Sequence, residues 1–509
     1  FAFMRKLTLT LALFACIFTA NAQNVIIPDS NFKAYLVSNS LINTNGDGEI
    51  QVSEANSFSD SIDVPYMGIS DLTGIEAFTA LTFLNCSFNQ LTSLDIGENI
   101  ALTHLECRSN DLINLDLNGG AALTHLDCGF NLLVSHDLNE NTALTELNCG
   151  FNNLTSLDLS ENVVLDELNC YSNQLVSLNL NENLALTFLN CQDNELISLD
   201  LSENAALSFL ECHHNHLDSL DLSGNTSLTH LDCGINQLTS LNLSENTALT
   251  YLACYSNQLS SLDLSENNAL TTVYCMYNQL SSLDLSGSVD LTQLNCELNQ
   301  LVSLDLSENS ALTYLTCYFN QLTSLDLSQN TTLIQLECSF NQITSLYLKE
   351  NTALIYLTCS DNQLTSLDLG EHPELIYFDC HENQLTCLNL SGCPILETVK
   401  CNSNLLEVLN LKKGALYADM RNNNLSCVMV DDVGYAQSEF NYDVSTTFST
   451  DCGYEDPCSF SLGIAEPFDS PKKLFKIYDM MGRETTYKAN TLLIYLYDDG
   501  SAEKKYTVE

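Results

Sequence analysis

Positive charge is what this sequence has least of. Its 509 residues carry 16 Lys+Arg against 65 Asp+Glu, a formal net charge of -49. Such a charge repels phosphate backbones and anionic lipid, so nucleic acid and polybasic membrane docking are excluded as partners. Between Leu81 and Cys401 the only lysines and arginines are Arg108, Lys349 and Lys400. Long apolar runs are also missing: beyond residue 22 none approaches the roughly 20 residues of a membrane-spanning helix, so no transmembrane segment is expected in the mature protein. Catalytic signatures are lacking as well. There is no nucleophile elbow, phosphate-binding glycine loop or zincin helix, and no carboxylate pair stands out from the many acids of the chain. Repeats of equal length form no obvious deep, water-excluding pocket, so a non-enzyme is expected.

What is present is repetition. From Leu81 a unit such as LTFLNCSFNQLTSLDIGENIA recurs every 21 residues, in sixteen in-phase copies whose first leucines run from Leu81 to Leu396 without an insertion. The pattern LxxLxCxxNxL resembles the leucine-rich-repeat signature. Its second half, LDLSxN, resembles the 21-residue bacterial variety in which a second strand-like segment replaces a helix. The resemblance implies a repeat solenoid, mostly β, with parallel strands on a concave face and little helix. No copy can bury its own apolar side chains, so the copies must stack, with Leu84, Cys86 and Leu91 and their equivalents inward. At about 4.8 Å per strand, sixteen copies make a rod or shallow arc on the order of 75 Å long.

Two inward columns follow from the period. The asparagines Asn89, Asn110, Asn131 and onward to Asn404 fall where the chain leaves the strand, and their amides are expected to satisfy backbone groups of neighbouring turns. The sixteen cysteines from Cys86 to Cys401 form the other column. Strand spacing of about 4.8 Å exceeds the Cβ separation of a disulfide, and no CxxC spacing suggests zinc, so free thiols are expected. Cys387, Cys393, Cys427, Cys452 and Cys458 lie outside the column. Their number is odd, and although Cys427 and Cys452 flank a nonrepeating segment that a bridge would staple, spacing leaves the pairing open.

Ahead of the repeats, Arg5 and Lys6, an apolar stretch from Leu7 to Thr19 and the small residues Ala20 to Ala22 read as a signal peptide over 4–22. Residues 23–80 read as a small helical cap. Within it Asn43, Asn45, Asp47, Gly48, Glu49 and Glu54 fit positions 1, 3, 5, 6, 7 and 12 of an EF-hand-like loop, with Glu49 contributing its carbonyl and Glu54 both carboxylate oxygens. The expected metal is a structural Ca2+, although asparagine replaces the usual aspartate at the first position.

At the other end, cations crowd after the proline-bearing segment 457–471, marking a boundary near residue 465. Alternation over Leu474–Tyr478 and Leu492–Tyr497, closed by a DDG turn, reads as two or three strands. Residues 472–509 closely resemble the type A C-terminal sorting domain of the type IX secretion system through Lys476, Tyr478, Asp479, Gly482, Arg483, Glu484, Leu493, Tyr495, Tyr497, Asp498, Asp499, Gly500 and Lys504. Of these, Asp479, Gly482, Arg483, Asp498, Asp499 and Gly500 would be the sorting signal. The resemblance implies the type IX machinery as a partner, and a secreted or cell-surface protein of a diderm bacterium reached through the periplasm. The chain thus divides into signal peptide 4–22, cap 23–80, solenoid 81–414, degenerate repeat with cap or linker 415–465, and sorting domain 466–509.

The side chains that alternate with the buried ones in each LxxLxC strand point outward. They include Phe83, His104, His125, Phe188, Phe209, His230, Tyr251, Tyr314, Tyr356 and Tyr377 in one column, and Glu106, Asp127, Glu211 and Asp232 in the next. Aromatic faces beside carboxylates suit a protein or glycan ligand. His213 shares a face with Glu211, and His230 and Asp232 follow one copy later, a grouping that a surface zinc or copper ion would also suit; His214 points another way. The expected function is secreted or surface binding and adhesion through the concave face, with a ligand-free structural spacer as the alternative.

Overall fold

The computed structural model describes residues 23–454 and Cys458, together with the backbone strands Leu474–Asp479, Glu484–Thr485, Thr491–Tyr497 and Ala502–Thr507. The signal segment 4–22 lies outside the described residues. The chain forms two units, Phe1–Gly453 and Tyr454–Glu509.

The first unit opens with the helix Ser30–Ser38, which begins where the Asp29 carboxylate accepts the N–H groups of Asn31 and Phe32. That cap satisfies two orphan donors of the first turn. The helix buries Phe32 and Leu36 against Ile42, Ile50 and Ile62. A second helix, Val52–Ser57, starts from a capping box between Gln51 and Glu54. The first rung then forms earlier than the repeat pattern indicates: Ser61–Asp63 pairs in parallel with Phe83–Asn85, Ile62 opposite Leu84. The stretch read as cap therefore already supplies one strand, because Ile62, Val64 and Ile69 are buried where Leu84, Cys86 and Leu91 stand 22 residues on, although the cysteine and asparagine of the pattern are missing.

From there each copy adds a three-residue strand in register with the last, as in Phe209↔His230 and His230↔Tyr251. The main sheet has 18 parallel strands and ends at Tyr417–Asp419. Pairing Thr398 with Tyr417 takes a turn two residues shorter than the 21-residue turns before it. The second segment of each repeat is regularly extended but pairs as strands only in places, such as Ser93–Asp95 with Asn114–Asp116 and Ser261–Asp263 with Ser282–Asp284. One typical turn buries Leu207, Leu210, Cys212, Leu217, Leu220 and Leu222. At roughly 1.5–3 kcal/mol per buried large aliphatic side chain, such a turn is held almost wholly by its neighbours.

Buried amides complete the interior. Asn215 donates to the carbonyls of Cys191 and Cys212 and accepts the N–H of Leu196, and this triple repeats from Asn110 to Asn404. The backbone-satisfying role expected of these asparagines is thus what the structure shows. A second ladder went unassigned in the sequence. Asn204 donates to the carbonyls of Leu180 and Asn183, and Asn225 repeats this one turn on. Its signal was the asparagine that ends LDLSEN in most copies. The column is broken where Gly120, Ser288, His372 and Cys393 take the asparagine's place, the last three fully buried.

The residue before each asparagine of the first ladder lies in the left-handed region, with φ between 48 and 56° in all sixteen copies, although none is glycine. Paired N–H groups hold this turn, as in Phe88 N–H to Arg108 O and His214 N–H to Gly234 O.

All sixteen column cysteines are free and buried, and so is Cys393. Burial pushes the Cys86 thiol up to about 12, so these thiols stay protonated and behave as small apolar side chains. Cys427 and Cys452 form a disulfide with Cα atoms 5.9 Å apart, and Cys387 and Cys458 are also disulfide-bonded. The bridge at Cys427 ties down the strand Thr447–Ser449 and the helix Val433–Glu439 that close this end.

The second unit is an antiparallel sheet in the order Glu484–Thr485, Leu474–Asp479, Thr491–Tyr497, Ala502–Thr507. Asp479 ends its first strand. Gly482, Arg483, Asp498, Asp499 and Gly500 lie outside the described residues. Among the described residues no helix is long and apolar enough to cross a membrane.

Candidate binding face

Strand alternation and an unbroken register bring the outward positions into columns that run the length of the sheet. The first column contains aromatic stacks. Phe188, Phe209, His230 and Tyr251 lie one on the next with centroids 4.4, 4.2 and 4.3 Å apart and planes within 9°. From the adjoining column, one rung on, Tyr274 meets Tyr251 edge-on at 5.9 Å. Shorter stacks join His104 to His125 and Tyr356 to Tyr377, while Phe83 is tilted 6.2 Å from His104. Tyr314 stands between Gln293 and Gln335, without an aromatic neighbour in its column.

This arrangement corrects one expectation. The sequence suggested flat ring faces available to a ligand, but in a stack at rung spacing each face is covered by the next ring. Phe209 and His230 therefore offer only their edges, and the surface is a ribbed apolar strip.

Carboxylates flank the strip. Glu211 accepts a hydrogen bond from the Asn190 amide at 2.7 Å and lies 3.8 Å from His230 Nε2. Asp232 accepts the Gly234 N–H at 3.0 Å and lies 3.3 Å from His213 Nδ1. Burial raises the pKa of both, and at Glu211 the nearby Asp232 adds to it. Burial and the same acids push Tyr251 up to about 12, while burial lowers the pKa of His230. His214 and His216 face other partners, Asp193 and Glu195, on the turn edge. Among the described residues no three His, Cys, Asp or Glu side chains converge as a metal-binding group.

Toward the first repeats, His104, Glu106, His125, Asp127 and Glu146 line a shallow depression. The Thr124 hydroxyl donates to Thr103 O and so accepts from His125 Nδ1 at 2.8 Å, which turns Nε2 toward Glu146, also at 2.8 Å. Burial raises the pKa of Glu106 and Asp127, with Asp127 adding to the shift at Glu106. Arg108 sits 4.6 Å over the Phe130 ring. The far end is different, because its acids carry partners: Asp379 meets His381 at 2.6 Å and Lys400 at 3.6 Å, and Asp419 meets Arg421 at 2.5 Å.

A third column was missed in the sequence. Tyr171 and Tyr255 lie flat over Gly150 and Gly234, where an added Cβ would stand 2.3 and 2.5 Å from the ring. The readable signal was a glycine 21 residues before a tyrosine. These glycines are seats for the rings.

In the cap, the structure brings the loop residues together. Asn43 accepts the Gly46 N–H, Asn45 accepts that of Asp47, and Asp47 accepts that of Glu49. The Glu49 carboxylate turns outward to Lys33 at 2.7 Å. Glu54 accepts from Thr44 N–H and hydroxyl, Asn45 N–H and Gln51 N–H. Burial alone would raise its pKa, but these hydrogen bonds outweigh it and hold the pKa below the ordinary value. The Glu49 N–H, with Gln51 and Asn45, does the same for Asp47. The donors are hard oxygens, two of them carboxylates, a set that fits calcium. Glu54 has a structural duty besides, as the acid of the capping box.

Neither a protein-family model nor a curated protein matches the chain. Solved structures do. The functional domain of InlJ from Listeria monocytogenes, described as including a cysteine ladder, is 27% identical with a TM-score of 0.57, over 95% of this chain and 97% of that one. YopM from Yersinia enterocolitica is 26% identical with a TM-score of 0.59, over 76% and 91%. A leucine-rich-repeat protein of Leptospira interrogans is 24% identical with a TM-score of 0.57, over 69% and 92%. With the in-register strands, the asparagine turns and the buried thiols, these likenesses lead to one conclusion: the chain has the leucine-rich-repeat fold, built from 21-residue turns around a cysteine ladder.

Proposed function

We propose that this is a binding and adhesion protein of the cell exterior whose concave face holds a protein partner. The observation that carries this reading is the stack from Phe188 to Tyr251. A glycan-binding platform needs an open ring face, whereas ring edges beside carboxylates suit the mixed apolar and polar surface of a protein. The likeness to InlJ and YopM supports a solenoid used as a scaffold. The test is a screen of the full chain against cell-surface proteins and glycans. A protein hit should weaken at least tenfold in Phe209→Ala/Tyr251→Ala. A glycan hit insensitive to that variant would refute the reading, and inertness toward everything would favour a structural spacer.

The 43–54 loop is proposed as a structural calcium site held by Asn43, Asn45, Asp47, the Glu49 carbonyl and Glu54. Calcium bound only by the folded loop stabilises it by mass action. Millimolar calcium should raise the melting temperature of the cap, and Asp47→Ala with Glu54→Ala should abolish that gain. A gain equally produced by magnesium or salt would instead indicate screening of the acidic surface.

Export through the periplasm and the type IX machinery is proposed on the resemblance of residues 472–509. Deleting them should leave the protein periplasmic, as read by fractionation. Normal amounts at the surface after deletion would sink the assignment.

A further inference from the structure

Resting on the protein-binding reading, we infer that the partner is basic: it presents lysine or arginine side chains to Glu211 and Asp232 and apolar side chains to the ring strip from Phe188 to Tyr251. Three observations converge here. The strip is half-buried and edge-on, four rungs or roughly 14 Å long at strand spacing, which an apolar stripe of a protein segment covers. Beside it, Glu211 and Asp232 occupy consecutive rungs of the adjoining column, and their nearest basic groups are the imidazoles of His213 and His230 rather than permanent cations. Between Arg108 and Lys349 the sequence has no lysine or arginine to supply one.

The middle and the C-terminal end of the face differ in how their acids are answered. At the C-terminal end, Lys400 and Arg421 stand directly on Asp379 and Asp419, with Lys400 also 5.4 Å over the Tyr377 ring. There the fold answers its own acids. In the middle it does not: only the His213 and His230 imidazoles stand beside Asp232 and Glu211. Complementary charge steers such a partner to the face, and the strip then holds it by exclusion of water.

The test uses three synthetic dodecapeptides, built from repeated Gly-Lys-Leu, Gly-Glu-Leu or Gly-Lys-Ser units, titrated calorimetrically into the full chain at low and at 0.5 M salt. The Gly-Lys-Leu peptide should bind. Glu211→Gln/Asp232→Asn, an isosteric pair, should weaken it at least tenfold, and so should Phe209→Ala/Tyr251→Ala. Asp200→Asn/Asp221→Asn on the opposite side of the solenoid should leave it unchanged, which separates a site from general attraction to an acidic chain. The Gly-Lys-Ser peptide should bind at least tenfold more weakly than Gly-Lys-Leu.

Equal weakening by the Asp200/Asp221 pair, or no binding of Gly-Lys-Leu, overturns the inference. Binding of Gly-Glu-Leu that depends on Phe209 and Tyr251 also overturns it, while leaving the protein-binding reading intact. If the aromatic double variant loses its circular dichroism, the isosteric pair alone decides.

Discussion

Replacing Asn204 by leucine should cost about 2 kcal/mol of stability, more than an exposed substitution. The amide of Asn204 donates to the carbonyls of Leu180 and Asn183, both in the buried turn. A leucine of similar size fills the space but removes the second donor of both carbonyls, which keep only the N–H groups of Asn183 and Leu186; each lost hydrogen bond is worth roughly 1 kcal/mol net. Solenoid turns touch only their neighbours, so the loss acts on the two interfaces around residue 204 rather than evenly over the chain. Denaturant unfolding should therefore become less cooperative, and limited proteolysis should cut near that turn before the ends unravel. A single transition at the unaltered midpoint would show that the second ladder is not needed for the stack.

The other large effect is expected at His136, which stands in a column otherwise filled by leucines such as Leu94 and Leu157. Its Nδ1 is buried without a hydrogen-bond partner, and its Nε2 lies 3.8 Å from the Cys128 thiol. Burial lowers its pKa from 6.5 to about 4, against a smaller opposing pull from Asp137. Above pH 6.5 the ring is neutral in both folded and unfolded chains, so no penalty arises. As pH falls from 6.5 toward 4 the unfolded chain takes up the proton first, and stability declines. The full gap corresponds to about 3 kcal/mol, and solvent at the partly exposed ring lowers that to about 2 kcal/mol. His136→Leu should remove this component of acid sensitivity and raise the melting temperature at pH 5 more than at pH 7.5. An equal shift at both pH values would mean that the histidine does not titrate with unfolding.

Much of the fold was legible because the period is strict. Once Leu84, Cys86 and Leu91 are assigned inward, alternation alone sends Phe83 and Asn85 outward, and 21-residue spacing aligns Phe209 with His230. Two things were not legible. One is what neighbouring outward residues do to each other: a list of aromatics at one phase does not say that Phe188, Phe209, His230 and Tyr251 would cover one another's faces, because that depends on side-chain rotamers. The other is degenerate copies. Ser61–Asp63 joins the sheet although its turn lacks the cysteine and asparagine of the pattern, since Ile62, Val64 and Ile69 still bury apolar side chains where Leu84, Cys86 and Leu91 stand one turn on. The second asparagine ladder was visible as a letter recurring in most copies. Its role was hidden because the carbonyls that Asn204 satisfies belong to the preceding turn, 24 and 21 residues back.

The equal length of the turns has a genetic consequence. Sixteen copies in one phase, joined by the same amide and thiol columns, are interchangeable at their seams. Unequal crossing-over between any two of them removes or inserts whole turns and leaves every column continuous. An event among the turns ahead of Phe188 then changes the distance between the cap and the aromatic strip by multiples of one strand spacing, about 4.8 Å. Length variants of this gene should accordingly differ by multiples of 63 nucleotides, and variation in reach becomes available without a single unfolded intermediate in the lineage.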